Sequence, residues 1–125
     1  MRVLPGDNTE AAGARVARSL LDAGELPTAI FAGNDRCAVG VLDLLRRAGV
    51  EVPYQVSVTG FDDSQLSRLA HIDLTTVRQD IERMAEFAVR AVAERLDAGR
   101  TASRAFVLDP MLVVRGTSGP VRAAG

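Results

Sequence analysis

The chain has 125 residues, a net charge of −1 and 47% hydrophobic residues, the profile of one soluble α/β-type domain or part of a larger one. That balance offers no broad basic field to draw in nucleic acid. All 15 basic residues are arginine, which excludes Schiff-base chemistry, a Walker-A phosphate loop and a receiver-domain lysine. A single cysteine, Cys37, leaves no intramolecular disulfide to form. With no apolar leader and no long apolar run, neither a signal peptide nor a membrane span is expected, and the expected compartment is the cytoplasm.

In chain order, Arg2-Val3-Leu4 reads as the end of a strand, broken by Pro5-Gly6-Asp7-Asn8. Thr9 is the expected N-cap of a helix with Ala12, Val16, Leu20 and Leu21 at helical spacing, closed by Gly24. Thr28 to Ala32 is a continuous apolar run of the buried parallel-strand type. Asn34 or Asp35 then caps a helix with Ala38, Val41, Leu42 and Leu45 on its apolar face, ended by Gly49. Val56 to Phe61 is the next strand, Ser64 to Leu69 a turn or two of helix, and Leu74 to Val77 a third strand. Asp80 caps the longest helix, with Ile81, Met84, Ala85, Ala88, Val92 and Leu96 as its stripe and Gly99 as its stop. Ala105 to Leu108 and Leu112 to Val114 are the last strand candidates, and the chain is expected to fray after Gly116. Strands alternating with helices call for a doubly wound parallel sheet.

Four strand-to-helix junctions carry polar pairs: Asp7-Asn8, Asn34-Asp35, Asp62-Asp63 and Gln79-Asp80. In a parallel sheet all four share one rim, where ligands of open α/β sheets sit. Carboxylates accept and amides both donate and accept, so the rim suits a polyol or sugar better than a phosphate, for which the glycine-rich cradle is missing. Taken singly, each pair reads more readily as a helix cap, for which Asp and Asn are standard residues. No metal is expected: adjacent Asp62 and Asp63 point apart, and His71, the one histidine, follows an apolar segment. Cys37 sits where a helix dipole could lower a thiol pKa, yet a lone cysteine there is more often a small packed hydrophobe. No nucleophile motif, catalytic set or cofactor site is legible. The apolar helix after Asn34, with Val39, Leu42 and Leu45, is either all core or in part a subunit contact shared with Leu66, Leu69 and Ala70.

Three motifs in order carry a resemblance to the LacI/GalR family of bacterial transcriptional regulators. PTAIFAGNDRCAVG stands at Pro27 to Gly40, VSVTGFDD at Val56 to Asp63 and LTTVRQ at Leu74 to Gln79. GDNTEAAG near the start and LVVRGTSGP near the end resemble further family segments, so the likeness covers nearly the whole chain. It implies a periplasmic-binding-protein-like I fold of two α/β subdomains clamping an effector, usually a sugar, of which this chain is the C-terminal portion. Residues 1–79 correspond to the C-terminal subdomain, 80–109 to a crossover helix and strand of the other subdomain, 110–117 to a return strand and 118–125 to a frayed tail.

The same resemblance assigns Asn34 and Asp62 to effector hydrogen bonding and Gln79 to a further contact, leaving Asp35 and Asp63 as caps. Asn8 stands where many members carry an aromatic over the ligand, a departure in this chain. It places the dimer contact around Val39, Leu42, Leu69 and Ala70. The family's helix-turn-helix headpiece is not in these residues, so DNA is expected to be met only through a headpiece elsewhere. The unpartnered crossover helix is expected to drive dimerisation, element swapping or pairing with a missing half. The competing expectations are a transporter's sugar-binding component of the same fold and a receiver-like phosphoacceptor at Asp62, the latter opposed by the lack of lysine.

Overall fold

The computed structural model describes residues 1–121 and separates into two compact units. The first comprises Met1–Arg78 with the described residues from Leu112 on, and the second is Gln79–Met111.

The first unit opens with α1 (Glu10–Asp22), capped by the Thr9 hydroxyl, which accepts from the Ala12 amide at 3.2 Å. Gly24 ends it at φ 66°, and the bonds Gly24 N to Leu21 O and Glu25 N to Leu20 O complete a Schellman turn. β1 (Ala29–Phe31) follows, then α2 (Asp35–Arg47) and β2 (Ser57–Thr59). Gly49 closes α2 in the same way at φ 76°, with Val50 N bonded to Leu45 O at 2.9 Å. A short 3-10 helix, Gln65–Arg68, leads to β3 (Thr76–Arg78). Arg2-Val3-Leu4, read as a strand end, forms no strand.

β1 and β2 pair in parallel, Ala29 with Ser57, Ile30 with Val58 and Phe31 with Thr59. Two isolated parallel bridges, Thr59 with Thr75 and Asp62 with Arg78, continue the pairing from β2 toward β3. β3 in turn pairs with β4 (Met111–Val113). The parallel α/β arrangement read from the sequence is present, with strands of three residues each.

The core joins Ala38, Val41, Leu42 and Leu45 of α2 to Ala17 of α1 and to Val56, Val58, Ile72 and Leu74 from the strands and their approaches. α1 meets α2 at two glycines. A Cβ on Gly13 would run into the Cys37 carbonyl, and one on Gly40 into the Glu10 carbonyl, so only glycine allows this backbone approach. Arg36 clasps Glu10 with two bonds of 2.9 and 2.8 Å across the same contact. Cys37 lies half-buried there, and burial, with a smaller contribution from the Asp7 charge, pushes its thiol pKa up. The packed-hydrophobe reading of Cys37 holds, not the activated one.

Two expectations about dimer contacts and the tail are corrected. Leu42 is 0% exposed within the core of its own chain, so it has no surface to offer a second subunit. The segment after Gly116 does not fray at once. Thr117 is buried, donates to the Val58 carbonyl at 2.7 Å and accepts from the Thr75 amide at 2.9 Å. Ser118 shares a 2.8 Å hydroxyl bond with Thr75, and the Gly119 amide donates to the Ser57 hydroxyl at 3.2 Å. The remainder of the expected tail, 122–125, lies outside the described residues.

In the second unit α3 (Ile81–Asp97) is capped by Asp80, whose side chain accepts from the Arg83 amide at 3.1 Å. None of its residues is buried, and Ile81, Met84, Val89, Val92 and Leu96 are exposed. Phe87 stacks on Phe106 at 4.4 Å between ring centres, flanked by the Arg83 and Arg104 guanidinium groups. Glu94 gathers Arg90, Arg100 and Arg104. Ala105 to Leu108, expected as a strand, forms none: its backbone has no ladder partner among the described residues.

Candidate functional site

The ends of β1 and β2 and the end of β3 are drawn together by backbone bonds. Asp35 N donates to Phe61 O at 2.9 Å, and Asp62 N donates to Val77 O at 2.8 Å. The three corners after these strands therefore lie side by side. Asn8 joins them from the turn before α1, because Asn34 Nδ2 donates to the Asn8 carbonyl at 3.0 Å.

Asn34 is the N-cap of α2. Its Oδ1 accepts from Cys37 N at 2.9 Å while its amide nitrogen holds Asn8. These two bonds use half of what a carboxamide offers, since it has two donor and two acceptor positions. Asn8 is exposed and sits at φ 61°, a left-handed conformation that Asn tolerates. Asp62 is half-buried at φ 118°, outside the comfortable range of a non-glycine residue, in β-bridge register with Arg78. Gln79 opens the second unit as a half-buried residue. The first unit thus brings together Asn8, Asn34 and Asp62.

The cap assignments of Asp35 and Asp63 are corrected. Asp35 is fully buried and reaches across the sheet ends: Oδ1 accepts from Thr76 Oγ1 at 2.5 Å and Oδ2 from Ser64 N at 2.7 Å. Gly60 gives it room, since a Cβ there would collide with Asp35 Oδ1. Asp63 is a buried ion-pair centre. Its carboxylate takes Arg115 at 2.6 Å, Arg78 at 2.6 Å and Arg68 at 3.0 Å, with Ser67 at 3.1 Å. Burial works to raise its pKa, but the bonds from Arg115, Arg78, Ser67 and Arg68 outweigh it and hold the carboxyl well below the usual carboxylate range.

Arg115 is the residue the sequence reading missed. It lies nearly buried in the closing segment, with Nη1 on the Leu74 carbonyl at 2.8 Å as well as Nη2 on Asp63. Its sequence signals are a charged residue directly after the apolar Leu112-Val113-Val114 and its place within the LVVRGTSGP segment. Among the described residues no group of three or more His, Cys, Asp or Glu side chains is placed to hold a metal, and no helix is long and apolar enough to cross a membrane.

Comparison with known proteins identifies the fold family. The model of the periplasmic binding protein-like domain matches residues 1–118. A Streptomyces limosus HTH-type transcriptional regulator is 44% identical over 107 residues, 85% of this chain and 30% of that protein. Among solved structures, a LacI transcriptional regulator from a Rhodococcus species aligns with TM-score 0.85 at 48% identity, covering 93% of this chain and 42% of the other. The transcriptional regulator CelR in complex with cellobiose aligns with TM-score 0.83 at 34% identity, covering 90% and 35%. The chain spans about a third of the curated relatives it matches, 30% and 34% in two of them. This chain belongs to the periplasmic binding protein-like domain family.

Proposed function

We propose that this chain is the effector-binding and dimerisation part of a LacI-type regulator, taking a small polyhydroxylated effector at the rim formed by Asn8, Asn34 and Asp62. The observation that carries the reading is the joining of Asn34 to Asn8 beside the Asp62 corner, which sets an amide and a carboxyl at adjacent strand ends. Neighbouring sugar hydroxyls need that mixture of donor and acceptor. Gln79 is carried into the proposed site by the LTTVRQ motif alone. The CelR–cellobiose complex supports a sugar as the class of effector.

In this reading effector binding favours one arrangement of the regulator and so shifts the DNA affinity of a headpiece outside these residues. The protein works in the cytoplasm, without a cofactor and without catalysing a reaction. Val39, Leu69 and Ala70 remain the proposed subunit contact, with Leu42 removed from it. The test is calorimetric titration of the full-length regulator and its Asp62→Ala variant with a panel of mono- and disaccharides that includes cellobiose. The sugar that binds the parent protein is expected to lose measurable binding to the variant. Unchanged affinity takes Asp62 out of the site.

A further inference from the structure

The Asp62–Asp63 corner holds one group that no effector can touch. The Asp63 side chain is 0% exposed, and both oxygens are committed. Oδ1 accepts from Arg115 Nη2 and Ser67 Oγ, and Oδ2 from Arg78 Nε and Arg68 Nη2. The positions of these partners are informative. Arg78 is the last residue before the chain leaves the first unit, and Arg115 lies just past Leu112, where the chain rejoins it. Arg68 and Ser67 belong to the 3-10 helix. Asp63 holds left-handed backbone at φ 51°, which Asp tolerates, whereas Asp62 at φ 118° is in a conformation that persists only where surrounding contacts enforce it.

We infer that Asp63 is a positioning residue: its carboxylate holds the strained Asp62 corner in shape and ties it to both segments by which the chain leaves and rejoins the first unit. A change of geometry at the corner is therefore felt at Arg78 and Arg115 together. The functional meaning of this tie rests on the proposed role of Asp62. The tie itself requires no effector, so the two ideas fail separately.

The test is hydrogen exchange on the full-length protein carrying this chain, with no ligand added. Three amides report on the network: Asp62 N on Val77 O, Ser64 N on Asp35 Oδ2 and Arg115 N on Thr75 Oγ1. In Asp63→Asn all three are expected to exchange about 2- to 30-fold faster, the range of energetic coupling found in such networks, while α2 amides such as Ala38 keep their rates. Uniform acceleration that includes α2, or no change at the corner, overturns the inference.

The double variant Asp63→Asn/Arg115→Gln guards against simple destabilisation, because it removes a buried arginine left without its carboxylate. It is expected to recover overall stability while the Asp62 amide stays fast. Return of slow exchange at Asp62 along with stability reduces Asp63 to a structural residue. Arg78→Gln is the third arm. It is expected to speed both Asp62 and Arg115, and an effect confined to β3 counts against the tie.

Discussion

Asn34 Nδ2 donates to the Asn8 carbonyl at 3.0 Å, so the amide that caps α2 also anchors the turn before α1. The two roles separate by substitution. Asn34→Asp keeps an oxygen for the Cys37 amide and adds charge that suits a helix N-terminus, but it has nothing to donate to Asn8. Asn34→Ala loses both bonds, and loss of the cap costs about 0.5–2 kcal/mol. Thermal unfolding is expected to rank the parent and Asn34→Asp close together and Asn34→Ala below them. An alanine variant as stable as the parent shows the cap to be energetically idle.

Acid sensitivity follows from Asp63. Its folded-state pKa is depressed below the ordinary 3.8, so the unfolded chain binds the proton more readily. Stability from this group is fully present above the ordinary value and is lost as pH falls through the folded-state value. The parent is therefore expected to lose stability progressively below about pH 4. Asp63→Asn, which has no proton to take up there, is expected to show a flatter stability profile over the same acid window. Chemical denaturation at a series of pH values reads the two slopes, and equal slopes remove Asp63 as the titrating group.

Much of the fold was legible because its signals are local. Thr9 and Gly24 bracket α1, Gly49 closes α2, and Ala38, Val41, Leu42 and Leu45 repeat at helical spacing on a face that is buried. Where the reading failed, the deciding partner was far along the chain. Asn34-Asp35 and Asp62-Asp63 look alike as acid-or-amide corners. Asp35 finds Thr76, 41 residues on, and Asp63 finds Arg115, 52 residues on. No local pattern separates a capping carboxylate from one that leaves its own helix. Leu42 failed for a related reason, since an apolar stripe reads the same whether it faces a core or a subunit. Thr117 shows the limit from the other side: small polar residues signal a tail unless a strand residue such as Val58 waits for their hydrogen bonds.

The helix crossing makes a prediction opposite in sign to helix propensity. Glycine inside a helix is about 0.8–1 kcal/mol worse than alanine, so Gly13→Ala and Gly40→Ala would stabilise isolated helices. Here each new methyl lands on the backbone of the other helix, at the Cys37 and Glu10 carbonyls. Both variants are expected to be destabilised by about 1–3 kcal/mol, the cost of overpacking. Gly6→Ala is the control, since its Cβ would meet only the Ala12 methyl at 3.8 Å. Denaturant midpoints for the three variants decide the matter, and a stabilised Gly40→Ala contradicts the close approach.

Leu42 and Leu69 divide the roles of core and proposed interface. Leu42 is 0% exposed, so Leu42→Ala opens a cavity and is expected to cost about 2–5 kcal/mol of stability. Leu69, at the end of the 3-10 helix, is 43% exposed, and Ala70 beside it is exposed as well. A surface change there moves stability by about 0.5 kcal/mol or less, whereas a buried charge at a subunit contact opposes association. Leu69→Asp with Ala70→Asp is therefore expected to leave the melting temperature of the dissociated chain nearly unchanged while weakening self-association of the full-length regulator. Sedimentation of both variants over a concentration series separates the two effects. A Leu69→Asp/Ala70→Asp protein that associates as tightly as the parent places the subunit contact elsewhere on the surface.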